Sequence, residues 1–193
     1  LNPYLTNILK IKKKRKQKKF SILSIGRITK QKNFDLLISS IFNLSKKYKY
    51  IELTIVGNGN LFKIIQNKIS NQKNIKLIKW KKNLKPFFLK SDLFILSSYY
   101  EGLPNVLIDA VNYEVPCIAT DVSGVRDILI NGKGGLIIAN NNQKELEKNI
   151  EYSINNYSKI KKKIFLAKKK LFRFTNINCV IMHKQFNKID NYK

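Results

Sequence analysis

Six short apolar runs, separated by stretches of helical periodicity and by glycine-bearing turns, restrict this chain to few architectures. Phe20–Ile25 (FSILSI) runs into Gly26, and Ile51–Val56 (IELTIV) runs into Gly57. Ile75–Ile78, Leu93–Leu96, Val115–Thr120 and Leu136–Ile138 are shorter runs of the same kind. Between them, Asn33–Ser45 sets Phe34, Leu37, Ile38, Ile41 and Leu44 at helical spacing. Leu61–Ile69 carries a second helical stripe, and Lys85–Lys90 has room for one or two turns. Asn105–Asn112 reads as a helix with Pro104 at its start, and Val125–Leu129 as a short one. Residues 143–190 read as helical in two or three segments. Such alternation predicts an α/β, Rossmann-like parallel sheet with helices on both faces. Uniformly apolar strands suit a sheet that is covered on both sides. The expected units are a basic linker over 1–19, the α/β domain over 20–157 and a helical tail over 158–193.

The 193 residues hold 38 Lys+Arg against 12 Asp+Glu, a net charge of +26. That much positive charge is the usual mark of a nucleic-acid or membrane partner. Here 34 Lys, 28 Ile and 23 Asn stand beside only 4 Arg. Lys, Ile and Asn share A/T-rich codons, so base composition accounts for much of the charge. A surface built for phosphate would use more Arg, whose planar fork matches phosphate better. Nucleic acid is therefore not the expected partner. The run Lys10–Lys19 (KIKKKRKQKK) has eight basic residues in ten. It has two readings: a solvated linker, or a patch for an anionic membrane surface.

Other classes lose support quickly. With 44% hydrophobic residues the chain has core material, which excludes wholesale disorder. No apolar run approaches the length of a membrane span, and residues 1–30 lack a signal-peptide pattern. Cys117 and Cys179 form no metal or redox motif, and Cys117 lies in an apolar context. This usage fits a reducing cytoplasm. His183 is the single histidine, so no multi-histidine metal site is expected.

In open parallel sheets the ligand sits beyond the carboxyl ends of the strands, so the turns there carry the chemistry. The first, Gly26-Arg27-Ile28-Thr29-Lys30-Gln31-Lys32-Asn33, sets cations between a strand end and a helix start, which suits a diphosphate. The second, Gly57-Asn58-Gly59, lets the backbone approach a ligand closely, but no third glycine completes a dinucleotide fingerprint. The third runs from Ser97 to Ala110 and contains Glu101 before a helix and Asp109 inside it. Carboxylates accept hydrogen bonds from sugar hydroxyls and repel phosphate. Cations for phosphates and carboxylates for hydroxyls together describe a nucleotide sugar. Trp80 either stacks near a base or packs.

These segments resemble the donor-binding C-terminal domain of retaining GT-B glycosyltransferases of family four, the group 1 glycosyltransferases. The resemblance rests on FSILSIGRITKQKNFDLLI, LTIVGNGNL, SDLFILSSYYEGLPNVLIDA, VPCIATDVSGVRDIL and GGLII, in that order, from about residue 20 to about residue 150. It implies that Arg27 and Lys32 neutralise the donor diphosphate without a metal, and that Glu101 binds the transferred sugar. It implies that Asp109 binds the ribose and that the amides of Asn105 and Val106 face the distal phosphate. Gly26, Gly57, Gly59, Gly102 and Leu103 would complete the donor site. No separate cofactor is implied. The expected reaction is hexosyl or N-acetylhexosaminyl transfer from a nucleotide sugar, UDP-linked by default. The acceptor would be a glycan or lipid-linked glycan in polysaccharide or lipopolysaccharide synthesis, at a cytoplasmic location or peripherally at the inner membrane face.

The sequence departs from the family pattern at three places. Asp109 and Asp127 stand where glutamate is usual, and Glu114 stands where glycine usually ends the helix. The acceptor-binding N-terminal domain of the family has no counterpart here, and Leu1–Tyr4 resembles the linker that follows it. The chain therefore reads as a fragment or as a donor subunit with a separate acceptor subunit. The alternatives are an inactive remnant, or a basic anion- or membrane-binding module on the same half-fold.

Overall fold

The structure, a computed structural model, describes residues 19–171. Most of the basic run, Cys179 and His183 lie outside the described residues. Six parallel strands form one sheet in the order β3-β2-β1-β4-β5-β6. They are β1 (Phe20–Ile25), β2 (Ile51–Val56), β3 (Ile75–Ile78), β4 (Leu93–Leu96), β5 (Cys117–Thr120) and β6 (Leu136–Ile138). The helices are α1 (Phe34–Lys47), α2 (Phe62–Lys68), α3 (Lys85–Lys90), α4 (Asn105–Asn112), α5 (Val125–Ile128) and α6 (Gln143–Asn155). Residues 157–171 are helical as well. The expected doubly covered parallel sheet is what the chain forms.

Each strand feeds two cores because successive side chains point to opposite faces. Leu93 and Ile95 of β4 join α1, α2 and α6 on one face. Phe94 and Leu96 join α3, α4 and α5 on the other. All four are essentially without exposure, so each stabilises the fold by roughly 1.5–3 kcal/mol relative to an exposed position. Cys117 is buried in the second core, and burial pushes its thiol far above the usual range.

The residues expected to form a helical tail begin inside the core. Ile160 packs in the first core, and Ile164 and Ala167 in the second. The helix over 157–171 thus passes from one face of the sheet to the other. It opens with the Tyr157 ring set edge-on to Phe20 at 6.2 Å. A Cβ at Gly134 would lie 2.6 Å from the Ala167 Cβ, so two small residues permit this crossing.

The strand expected over Val115–Thr120 starts later, at Cys117. Glu114 explains the shortening. It takes the left-handed conformation (φ 56°) after α4, and the Val115 N–H donates to the Ala110 carbonyl at 2.9 Å. Pro116, which has no N–H, follows. The strain is countered from the last helix: Lys168 pairs with the Glu114 carboxylate at 2.7 Å, and Lys161 donates to its carbonyl. A non-glycine residue in this region costs about 1 kcal/mol, whereas a half-exposed pair returns about 0–1 kcal/mol. Glu114→Gly is therefore expected to raise stability in urea by up to about 1 kcal/mol, since glycine removes the strain. Glu114→Ala, which keeps the strain and loses the pair, is expected to lower it by about 0.5 kcal/mol. Equal effects from both variants would show that the left-handed backbone costs nothing here.

Candidate functional site

The strand order reverses between β1 and β4, and the turns leaving these two strands meet at their carboxyl ends. From Gly26 the chain passes Arg27 and Thr29, makes one 3-10 turn over Lys30–Lys32 and enters α1 through Asn33. Asn33 is left-handed (φ 46°) and caps α1 by accepting the Leu36 N–H at 3.4 Å. The buried Ser97 hydroxyl, at the end of β4, bonds the carbonyls of Lys32 and Asn33 at 2.9 and 3.1 Å. The Tyr99 N–H donates to the Gln31 carbonyl at 2.8 Å, and the Gln31 amide donates to the Tyr100 carbonyl at 2.9 Å. These bonds join the two turns side by side.

The joined turns bring Lys32 and Glu101 together. The Lys32 ammonium donates to Glu101 Oε1 at 2.5 Å, with the two side chains only 13% and 7% exposed. The buried Ser98 hydroxyl donates to the same oxygen at 2.5 Å. The Ser98 carbonyl is held in turn by the Thr120 hydroxyl, at 2.6 Å. An ion pair this sheltered is screened less by water than a surface pair, and its hydrogen bonds compensate for lost hydration. Both bonds end on Oε1. No bond to Oε2 is present among the described residues, so that oxygen can accept from a ligand hydroxyl.

Neither Ser97 nor Ser98 stands out in the sequence. Their hydroxyls matter only because β4 lies beside β1. A third residue of this kind is Thr29, whose Oγ1 is buried without a hydrogen-bond partner among the described residues. It lies between Arg27 and Lys32 in the turn expected to hold phosphate.

The glycines divide into two groups. A Cβ on Gly57 would lie 1.9 Å from the Gly26 carbonyl oxygen, and one on Gly59 would lie 2.3 Å from that of Ile28. The close approach at this turn is thus to the chain's own first turn and not, as expected, to a ligand. The Ile28 N–H confirms the contact by donating to the Asn58 carbonyl at 2.8 Å. A Cβ on Gly26 would meet the Lys32 stem at 3.1 Å, so the lysine lies along the glycine on its way to Glu101. Gly102 has open space around it. Leu103 is exposed, and Gly124 (φ 78°) packs under Pro104.

The other expected site residues do not join the Lys32–Glu101 pair. Arg27 is exposed and pairs with no carboxylate among the described residues. The Asn105 N–H is already bonded to the Leu103 carbonyl at 2.9 Å, whereas the Val106 N–H has no acceptor among the described residues. Of the two amides implied by the family pattern, only Val106 is open to a ligand. Asp109 lies inside α4, half-buried, and burial pushes its carboxyl above the ordinary value of 3.8. Trp80 is 49% exposed, so it is not a packing aromatic. Its backbone N–H donates to the Asn58 side-chain carbonyl at 3.1 Å, which sets it beside the second turn. Chemically, the carboxyl ends of β1 and β4 present a free guanidinium, a sheltered ammonium, an open amide and a carboxylate with one open oxygen.

The profile of the group 1 glycosyl transferases matches residues 6–170. The chain belongs to the group 1 glycosyl transferases. Within this family, the CapM glycosyltransferase of capsular polysaccharide biosynthesis from Staphylococcus aureus is 31% identical over 143 residues, 72% of this chain and 38% of that protein. A Campylobacter jejuni α-1,4-N-acetyl-D-galactosaminyltransferase named for a diphosphoundecaprenol-linked acceptor is 27% identical over 145 residues, 72% of this chain and 40% of that protein. The crystal structure of Anabaena HepE with UDP and glucose superposes with a TM-score of 0.76 at 17% identity, covering 86% of this chain and 48% of that one. The fold is thus that of half a GT-B glycosyltransferase. The match covers less than half the length of each of these relatives.

The Asp109 carboxyl gives a prediction with a defined sign. Its pKa is raised in the folded state by desolvation, so the folded chain binds this proton more tightly than the unfolded one. Its ionisation therefore costs stability progressively as pH rises through 3.8 towards the folded value. Asp109→Asn is expected to raise the melting temperature at neutral pH, with the gain shrinking as pH falls towards 3.8. A gain independent of pH would show that desolvation of the charge is not its source.

Proposed function

We propose that this chain is the donor-binding half of a retaining, nucleotide-sugar-dependent glycosyltransferase of family four. The observation that carries the reading is the convergence of Lys32, Ser98 and Glu101 at the carboxyl ends of β1 and β4. Arg27 and Lys32 neutralise the donor diphosphate, assisted by the Val106 amide, so the leaving group needs no metal ion. Glu101 accepts from a hydroxyl of the transferred sugar through Oε2, and Asp109 accepts from the ribose. The buried Thr29 hydroxyl adds a donor beside the phosphates. As the glycosidic bond to the diphosphate lengthens, negative charge accumulates on the departing phosphate. The fixed cations stabilise that charge while the sugar becomes oxocarbenium-like, which is electrostatic preorganisation.

The transferred group is a hexose or N-acetylhexosamine and the nucleotide is UDP. The acceptor is a glycan or lipid-linked glycan of polysaccharide synthesis, as the names of the Staphylococcus and Campylobacter relatives support. The acceptor is held by a second domain or subunit, because the match leaves more than half of each relative's length uncovered. Without that half the reactants are not held together and turnover is slow.

The test is thermal unfolding and calorimetric titration with UDP, ADP and GDP at fixed ionic strength. UDP is expected to raise the melting temperature by mass action more than the other two. Arg27→Ala is expected to weaken UDP binding about tenfold or more, the scale of a lost charged hydrogen bond. Equal shifts from all three nucleotides, unchanged in Arg27→Ala, would reduce the site to general anion affinity and sink the proposal.

A further inference from the structure

We propose that Glu101 also expels the nucleoside diphosphate product, by competing with its phosphates for the Lys32 ammonium. This inference rests on the donor-site reading above.

Lys32 cannot serve the phosphates independently of Glu101. Its ammonium is already bonded to Oε1 at 2.5 Å, and Ser98 fixes that same oxygen from the other side. The carboxylate is 7% exposed, so little water screens its charge from an anion that approaches Lys32. Its position is also rigid. Ser98 is fully buried and its carbonyl is bonded by Thr120, while Ser97 fastens the backbone of Lys32. The carboxylate therefore cannot simply swing away to make room.

The consequence differs between donor and product. With a sugar attached, a hydroxyl lies between Oε2 and the diphosphate, and the hydrogen bond it donates offsets the repulsion between the two anions. After transfer that hydroxyl has left with the acceptor. The carboxylate then faces the diphosphate directly and reclaims the ammonium. Arg27, exposed and without an acidic partner among the described residues, has no such rival and holds donor and product alike.

The experiment is calorimetric titration of the full chain with UDP, in a cycle of Glu101→Gln, Lys32→Met and the double variant, with Arg27→Ala as reference. Glu101→Gln keeps the shape and removes the charge. It is expected to tighten UDP binding about fivefold, the scale of one ion pair, and this gain is expected to vanish in the Lys32→Met background. Ser98→Ala, which loosens the carboxylate without removing it, is expected to tighten UDP by a smaller factor and gives the same sign if the glutamine variant does not fold. Unchanged or weaker UDP binding in Glu101→Gln and Ser98→Ala, with wild-type binding still dependent on Arg27, would overturn product expulsion and leave the donor site standing. A gain that survives without Lys32 would overturn the competition as well. Absence of Arg27-dependent UDP binding throughout would remove the donor site itself, and the inference with it.

Discussion

Strands β1 and β4 are in register at only two positions, Ile22 with Leu93 and Leu23 with Phe94, and the site depends on this brief pairing. Beyond it, serine side chains bridge the two strands. The buried Ser24 hydroxyl donates to the Ile95 carbonyl at 2.7 Å, and Ser97 then reaches the carbonyls of Lys32 and Asn33. A longer ladder would hold the strand ends together and close the crevice. A shorter one would let the two turns drift apart. The serines hold the turns close enough for Lys32 to meet Glu101.

The same seam explains why the site contains opposite charges. In most folds a sheltered lysine–glutamate pair is neutral to stability, because lost hydration cancels attraction. In the donor site proposed above, the two members have partners of opposite preference, phosphate for the cation and hydroxyl for the carboxylate. Each charge of the pair compensates the other, which makes it possible to shelter both at the strand ends.

Much of the fold was legible in the residues, because apolar runs ending in Gly26 and Gly57 mark strand ends without reference to anything distant. The cations and carboxylates were legible for the same reason: each sits in a short turn next to such a run. The rest depends on partners far away in sequence. Glu114 could be seen to occupy a glycine position, but its support from Lys168, 54 residues later, follows only from where the last helix crosses. The serines beside Glu101 look like ordinary strand-end residues until β4 is placed beside β1. Gly57 and Gly59 read as room for a ligand beside the backbone, and only the packed structure shows that the Gly26–Ile28 backbone takes that room. Residues 158–193 read as a tail apart from the domain, yet Ile160, Ile164 and Ala167 set a buried stripe at helical spacing within it.

The order of strands also sets a schedule for synthesis. β1 lies inside the sheet, yet only β2 among its two neighbours follows promptly; β4 emerges from the ribosome after β2, α2, β3 and α3. Throughout that interval one edge of β1 offers unpaired amides and carbonyls, the template on which strands of separate molecules join. Parallel pairings across such gaps form slowly. A nascent chain with this topology needs some means of keeping its siblings away until β4 arrives. Mutual repulsion among unfinished chains supplies one, because residues 1–92 already hold 23 Lys+Arg against 3 Asp+Glu.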